Sequence, residues 1–340
     1  MVGDAAVHGD GSTSCDLVTV HLGELHGTVL LYGGVYSNGD AADALMDRAD
    51  EMGIPRENRI CTGDVCAYCA EPSRSVSIVR TRGGPVLAGN CEKQLALGAK
   101  DCGCGFEETS TCSLLSRTWY AHAQRSLSDD ELKWMGSLPD RIVFGHNGKT
   151  YALIHGGASD ISRFLWPVTD RAVLNEEAAI LRNQVGPFDA VVAGHCGYAF
   201  ATDDSSWINA GAIGMPQNDG ESATRFMTID GSSGNVCCHR LAYDYESQIK
   251  KMKAAGLQQG YHTALRTGNW PSEDVLPECM KSKRAAGSRA RAPPAHRPLP
   301  RHPWRYCWLI LVICASLLLL FVNWYLGFEP IGPGLGREQL

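Results

Sequence analysis

Short apolar runs recur along the first two thirds of the chain, and glycine or a polar residue follows most of them. Runs of this length between turn-forming residues predict buried β-strands. After the first run, apolar residues return at helical spacing from Ala42 to Met52, with Asp40 as the expected N-cap. The predicted strands cover residues 28–32, 59–61, 85–88, 151–154, 190–193 and 207–209.

Turn signals predict two β-hairpins. Asn147-Gly148 separates residues 142–144 from 151–154, and a Gly- and Ser-rich stretch separates 224–229 from 236–241. Helices are predicted over residues 72–81 and 105–138, and appended helices over 246–278. Helices alternate with strands in the first half and hairpins prevail in the second, which predicts an α/β fold of two mixed β-sheets flanked by helices.

The composition is that of a globular protein. Of the 340 residues, 44% are hydrophobic and 20% are charged, which allows one large domain or two small ones. The formal net charge of −6 combines a balance of −13 over residues 1–279 with +7 over residues 280–340. Because nucleic-acid-binding surfaces are basic, the acidic part argues against a nucleic-acid partner.

The C-terminal part contains a long uncharged stretch. Residues 306–326 have aromatic residues at both ends and about the length that spans a bilayer, so we expect a transmembrane anchor in contact with membrane lipid. A buried core helix is the alternative. The basic residues before this stretch predict a globular domain in the cytoplasm, and they could also contact anionic headgroups or form a solvated linker.

These features divide the chain into six segments. The first 14 residues have no secretory signal, and 14 Cys without one predict reduced thiols. The predicted segments are an N-terminal segment (1–26), a main domain (27–245), appended helices (246–278), a linker rich in Pro, Ala and Arg (279–305), a transmembrane helix (306–326) and a C-terminal tail (327–340).

Four short polar blocks follow predicted strands, at the strand ends where α/β proteins collect functional groups. An Asp, an Asn and two His are ligands that suit a divalent transition metal. Taken singly, the Asp could cap a turn, and each His could be a buried core residue. The blocks are Thr62-Gly63-Asp64, Gly89-Asn90-Cys91-Glu92, Ile154-His155-Gly156 and Gly194-His195-Cys196-Gly197.

The order of these blocks resembles that of the calcineurin-like metallophosphoesterases. Their motifs run D-x-H, G-D, G-N-H-D/E, H-G, G-H-x-H and N-x-G-S, and residues 28–230 of this chain follow that order. The resemblance implies a four-layer α/β/β/α sandwich over the main domain and hydrolysis of a phosphoester. It places metal ligands at Asp64, Asn90, His155 and His195, and it matches the closing motif to Asn209-Ala210-Gly211-Ala212.

The chain also departs from the family pattern. Gly34 and Tyr36 stand where D-x-H has its two ligands, and Gly197 replaces the second His of G-H-x-H. The resemblance implies that these three positions serve only the first of two metals. We therefore expect one divalent ion per chain, Mn, Fe or Zn, held by the four remaining ligands.

Further roles are assigned around the expected metal. Cys91 stands where the family has an acid-donating His, so it could donate a proton, although a small buried hydrophobe is the alternative that we favour. Glu92 would orient that neighbour or a water. Tyr36 and Asn38 could form hydrogen bonds to the phosphoryl group, as substrate-binding residues.

Five cysteines crowd one third of the chain. They could hold structural zinc, but their spacing fits no standard zinc module, and reduced packing thiols or a redox pair are the alternatives. They are Cys66, Cys69, Cys102, Cys104 and Cys112.

Two functions are compatible with this pattern. The first is a membrane-tethered, metal-dependent phosphatase or phosphoesterase that hydrolyses a cytosolic phosphoprotein, nucleotide or dinucleoside polyphosphate. The second is a catalytically silent relative that binds a phosphorylated ligand at the membrane. The intact four-residue set favours the enzyme, and the missing D-x-H motif favours the silent module.

Overall fold

The computed structural model describes residues 17–104 and 111–282. Within these ranges, ten strands form two sheets. The four-stranded sheet contains β2 (Val29–Tyr32), β3 (Arg59–Cys61), β9 (Thr224–Ile229) and β10 (Val236–Leu241), in the order β10-β9-β2-β3. The six-stranded sheet contains β1 (Thr19–Glu24), β4 (Arg141–His146), β5 (Lys149–Leu153), β6 (Ala190–Ala193), β7 (Ala199–Ala201) and β8 (Trp207–Ala210), in the order β1-β4-β5-β6-β8-β7.

Eight α-helices accompany the sheets in the described part of the chain. Short 3₁₀ turns cover Arg56–Asn58 and Glu278–Met280. The helices are α1 (Gly39–Glu51), α2 (Pro72–Arg82), α3 (Asn90–Ala96), α4 (Thr111–Ser126), α5 (Asp129–Gly136), α6 (Arg171–Val185), α7 (Tyr245–Ala254) and α8 (Tyr261–Thr267).

The core lies in three layers, because side chains alternate across each strand. Leu31 of β2 packs between the sheets with Phe144 and Val192 of the six-stranded sheet. Its neighbour Leu30 faces the other way and packs with Leu45 of α1. On the far side of the six-stranded sheet, α6 residues pack against β5 and β6. The predicted four-layer α/β/β/α sandwich is therefore confirmed.

Most predicted elements are present, with local differences. Both hairpins form, and Asn147 and Gly148 take the positive φ angles of 51° and 72° that the turn requires. Asn38, not Asp40, caps α1, because its Oδ1 accepts from Ala41 N at 3.1 Å. The predicted strand over 85–88 is reduced to a single bridge, between Cys61 and Val86.

The helical stretch predicted over 105–138 is two helices. Ser128 starts α5 with a reciprocal capping box, in which its hydroxyl accepts from Glu131 N and the Glu131 carboxylate accepts from Ser128 N. Residues 105–110 lie outside the described part. The structure also contains α6, β1 and β7, which the sequence patterns did not predict.

The prediction of a transmembrane anchor is wrong on the basis of the helices that the structure describes. Within residues 17–104 and 111–282, no helix is both long and apolar enough to cross a bilayer. This finding contradicts the expected single-pass anchor and the cytoplasmic placement that was inferred from it. The predicted transmembrane helix (306–326) and tail (327–340) lie outside the described residues.

The segment boundaries stay predictions. The described residues up to Lys281 form one compact unit. Strand β1 pairs with β4, although it falls in the predicted N-terminal segment. Helix α7 packs against α1, where Lys251 forms ion pairs with Asp40 and Glu71.

Candidate metal centre

The loop after β3 places Asp64 at the ends of the strands. Asp64 has a left-handed backbone, with φ of 56°. The loop is held by Glu92, whose buried carboxylate accepts from the backbone N–H groups of Asp64 and Val65 at 2.8 Å and of Gly89 at 2.9 Å. These bonds join the Asp64 loop to the start of α3. Glu92 thus positions the loop and is not directed at the cluster as a catalytic group.

Asn90 is the first residue of α3, and its amide is fixed in one orientation. Its Nδ2 donates to the carbonyl oxygen of Cys102 at 2.8 Å and to Cys104 Sγ at 3.3 Å. The opposite end of the amide, Oδ1, lies 3.0 Å from His155 Nε2. Two donor bonds behind Asn90 therefore present its oxygen to the cluster.

His155 follows β5 and is fully enclosed. Its Nδ1 lies 2.6 Å from the carbonyl oxygen of Thr62, so this nitrogen carries the proton and donates it. In the neutral ring, Nε2 then has a lone pair. That atom lies 3.1 Å from His195 Nδ1 and 3.3 Å from Asp64 Oδ2.

His195 follows β6 and completes the set. Its backbone φ is 62°, and its Nδ1 lies 3.9 Å from Asp64 Oδ2. Phe164 packs against the ring with centroids 4.3 Å apart. The preceding residue, Gly194, is held by Asn209, whose Nδ2 donates to its carbonyl oxygen at 2.7 Å. The closing motif therefore supports the His195 loop.

The donor set fits a divalent metal. The ligand atoms of Asp64, His155 and His195 all lie within 4.8 Å of one another, and the Asn90 oxygen joins them. Atoms that bind one metal at about 2.1 Å lie about 3.0 Å apart at octahedral angles and about 3.4 Å apart at tetrahedral angles. The separations of 3.0, 3.1 and 3.3 Å around His155 Nε2 match this range. Four electron-pair donors therefore face one small volume.

The protonation preferences differ among the three titratable ligands of the cluster. Burial opposes ionisation of Asp64, but the charge of His155 and its hydrogen bond outweigh burial and lower the pKa of Asp64. Burial also disfavours the charged form of His155, yet Asp64 raises its pKa. Burial, together with the charge of His155, lowers the pKa of His195 to about 3. Asp64 is therefore ionised and His195 neutral, whereas His155 favours its protonated form and would release a proton on binding a metal.

The positions of the missing first-metal ligands are occupied differently. Tyr36 is buried, with φ of 54°, and its ring lies over Gly34. A Cβ at Gly34 would lie 2.6 Å from Tyr36 Cζ and 2.7 Å from Ala212 Cβ. A Cβ at Gly197 would meet nothing closer than 3.6 Å. The Tyr36 side chain therefore lies beside both Gly34 and Gly197, two of the positions that lack a first-metal ligand.

Two predicted roles do not agree with the geometry. Asn38 is fully buried, and its Nδ2 donates to Gly214 O and Tyr243 Oη, both at 2.9 Å, so both of its donors are used within the fold. Cys91 is buried as well. A hydrogen bond with Cys104 favours its thiolate, but burial and the neighbouring Asp64 outweigh it and raise the pKa of Cys91. Asn38 cannot donate to a substrate, and Cys91 is a poor acid.

The four described cysteines of the set considered for structural zinc are not brought together as one group. Cys66 Sγ lies against Pro72 O at 3.8 Å and Cys69 Sγ against Gly214 O at 3.9 Å, whereas Cys102 and Cys104 lie beside Asn90. Among the residues with described side chains, no cysteine belongs to a group of metal-ligating residues. The side chain of Cys112 lies outside that set.

An aromatic cavity adjoins the cluster, and the sequence patterns did not reveal it. His195 forms one wall, and Tyr36 is the only other predicted site residue that lines it. The remaining walls come from loops and helices far apart in the chain, which is why no local motif marks them. They include Tyr68, Phe164, Tyr261, Trp270 and Val275.

Known proteins share this fold. No protein-family model matches the chain. An uncharacterised protein of Methanocaldococcus jannaschii is 23% identical over 232 residues, which cover 66% of this chain and 91% of the relative. The crystal structure of a metallophosphoesterase of Sphaerobacter thermophilus is 19% identical with a TM-score of 0.55, and it covers 72% of this chain and 100% of its own.

A second solved structure gives the same result. A hypothetical protein of Pyrococcus horikoshii is 14% identical with a TM-score of 0.58, over 72% of this chain and 99% of its own. At these identities the likeness concerns the fold. Together with the two mixed sheets and their flanking helices, it shows that the chain has the calcineurin-like metallophosphoesterase fold.

Proposed function

We propose that this protein is a metal-dependent phosphoric ester hydrolase with one divalent transition-metal ion per chain. Its ligands are Asp64, Asn90, His155 and His195. The convergence of their donor atoms around His155 Nε2, at 3.0 to 3.3 Å, carries the proposal. The fold supports it, because divalent metals accompany phosphoester hydrolysis in the family that the sequence resembles.

The residues of the chain prepare the site before any substrate binds. Thr62 fixes the tautomer of His155, Cys102 and Cys104 orient the amide of Asn90, and Glu92 holds the Asp64 loop. A bound divalent ion would supply Lewis-acid polarisation of the phosphoryl group and a compensating positive charge. Of the two predicted substrate-binding residues, Tyr36 lines the cavity beside the cluster and could contact the substrate.

A catalytically silent binding module is the second candidate. It is favoured by the burial and raised pKa of Cys91, which leave no effective acid at the position of the family's His. It is also favoured by Tyr36, which stands where the D-x-H motif of the family has a ligand of the first metal. Such a module would bind metal and a phosphorylated ligand without turning it over.

Phosphate release by the full-length protein separates the two candidates. With Mn²⁺ we expect release from phosphoesters, and with a chelator we expect none. Asp64→Asn should abolish metal binding and activity while the fold persists, because Asn tolerates the left-handed backbone at this position. Asp203→Asn, the same change at an exposed residue, is the matched control.

The outcomes are distinct. Metal binding without release of phosphate would favour the silent module. Absence of metal binding in calorimetry, or full activity in Asp64→Asn, would contradict the proposed site under either candidate.

A further inference from the structure

The aromatic cavity begins at the metal ligands themselves. His195 presents Nδ1 to Asp64 and His155, and the same residue forms a wall of the cavity. Two further wall residues, Trp270 and Tyr36, lie close to Gly197 of the His195 loop. A Cβ at Gly197 would lie 3.6 Å from the Trp270 ring and 3.8 Å from the Tyr36 hydroxyl. A group attached to a phosphate at the cluster would therefore enter a narrow space next to it.

The walls are rings held in place by other contacts. Trp270 Nε1 donates to the carbonyl oxygen of Pro216 at 2.6 Å, and Tyr198 meets the Trp270 ring edge-on at 5.6 Å. Phe164 is stacked on Trp166 with ring centroids 5.2 Å apart. Rings that are already ordered lose little entropy when a ligand binds. The walls are therefore suited to binding a flat group.

The cavity carries no fixed charge. None of the described residues that line it is Lys, Arg, Asp or Glu, and His195 is the only wall residue with a basic side chain. A phosphate group beyond the one at the metal would lose its hydration without gaining a cation, which is costly. The group that enters the cavity should therefore be uncharged, which disfavours a dinucleoside polyphosphate.

We propose that the site takes phosphoesters whose organic group is one uncharged aromatic ring, with the phosphate at the four ligands and the ring in the aromatic cavity. This inference rests on the proposed function for its phosphate end. Ring–ring contacts contribute about 0.5–1.5 kcal/mol beyond burial of the same area. The ring should therefore be preferred over a saturated group of similar size.

A matched substrate pair tests this preference. Benzyl phosphate and cyclohexylmethyl phosphate have alkyl leaving groups of similar size and differ in aromaticity. With Mn²⁺ we expect kcat/KM to be about two- to tenfold higher for the benzyl ester. Glycerol phosphate and a dinucleoside tetraphosphate should both be poorer substrates than either ester. A nucleoside monophosphate and phosphotyrosine then distinguish a nucleobase from a phenol ring as the natural source.

A cavity-filling variant tests the location. Val275 lines the cavity, and Val168 is 52% exposed elsewhere. Val275→Trp should lower kcat/KM for benzyl phosphate at least tenfold and for glycerol phosphate by less, whereas Val168→Trp should change neither. Calorimetric binding of benzylphosphonate, which is not hydrolysed, gives a readout independent of turnover and should be lost in Val275→Trp only. Thermal unfolding of both variants checks that they fold.

Different results would contradict the proposed aromatic specificity and the proposed hydrolase activity. Turnover with equal kcat/KM for all the monoesters, or a preference for the dinucleoside tetraphosphate, would contradict the proposed binding of an aromatic ring in the cavity. The proposed hydrolase activity would stand in either case. Without turnover of any ester, the proposed hydrolase fails. Benzylphosphonate binding that Val275→Trp removes would still support the cavity in that case, and its absence would contradict it.

Discussion

The Nδ1 of His155 lies 2.6 Å from the carbonyl oxygen of Thr62, two residues before Asp64. This hydrogen bond places the ring proton on Nδ1 and leaves the Nε2 lone pair for the cluster. Outer contacts of this kind orient metal-ligating His residues in proteins. The backbone that brings in one ligand therefore also sets the tautomer of another.

The first prediction concerns the number of metals. We expect about one tightly bound Mn²⁺, Fe²⁺ or Zn²⁺ per chain, because four ligands remain for one ion and Gly34, Tyr36 and Gly197 offer no ligand for a second beyond the Tyr36 hydroxyl. Elemental analysis of the purified protein measures this ratio. Two strongly bound ions per chain would show that other groups complete a second site.

Restoring the missing ligands should raise the count, but the three positions differ in tolerance. Gly197→His meets only ordinary contacts but strains the backbone, because φ is 76° there, whereas a side chain at Gly34 would also clash with Ala212 even after Tyr36 is replaced. We therefore expect Tyr36→His with Gly197→His to fold, with a free energy of unfolding lower by about 1–3 kcal/mol, and to increase the metal content. Gly34→Asp should need Ala212→Gly to be tolerated. A metal content that stays at one in the folded variants would contradict this.

Glu92 should matter for metal affinity although it does not face the cluster. In Glu92→Gln, an amide donor would replace an oxygen that accepts backbone N–H groups, so we expect a loss of about 1–3 kcal/mol in the free energy of unfolding. The displaced Asp64 loop should weaken Mn²⁺ binding about tenfold to a hundredfold. Urea unfolding and calorimetric titration measure the two effects. Glu57→Gln, at an exposed residue, should show neither.

Glu177 predicts a specific pH dependence of stability. Its side chain is fully buried and accepts from Ala158 N and from Ser159 N and Oγ. Burial opposes ionisation, but the hydrogen bonds of Ser159 and the charge of Arg163 outweigh it and lower the pKa of Glu177. The stabilisation is therefore complete above the unfolded-state pKa of about 4.3 and is lost as pH falls through the lower folded-state pKa.

A variant isolates this effect. Glu177→Gln should reduce the free energy of unfolding at neutral pH by about 1–3 kcal/mol, and the difference from wild type should shrink as pH falls below about 4. Urea unfolding between neutral and acidic pH measures it. Glu176→Gln, the same change at the exposed neighbour, is the control. A difference that stays constant with pH would rule out ionised Glu177 as the cause.

Thiol reactivity should follow burial. Burial raises the pKa of Cys66 and raises the pKa of Cys196 to about 12, so both should react slowly with iodoacetamide in the native protein. The exposed Cys237 and Cys279 should react first. Peptide mass spectrometry follows the labelling. Any hydrolytic activity should survive modification of the exposed thiols, and its loss at that stage would place a reactive cysteine in the mechanism.

The sequence by itself determined the strand ends and what stands at them. A buried strand and the polar residue after it are adjacent in the chain, so the positions of Asp64, His155 and His195 could be read from local pattern. The same holds for the hairpins, since turn residues act over a few positions. The long helix α6 was not predicted, although Leu174 and Leu181 lie seven residues apart on its buried side.

Only the tertiary structure decided what each polar side chain is used for. Asn38 carries a group that could bind a substrate, and Glu92 carries one that could transfer a proton. In the fold, both side chains instead form hydrogen bonds with buried backbone groups of other segments. The aromatic cavity is the extreme case, because Tyr68, Phe164 and Trp270 meet across about two hundred residues of chain. Local sequence reports which groups are available, whereas the free energy of burying them without partners decides which remain free to bind.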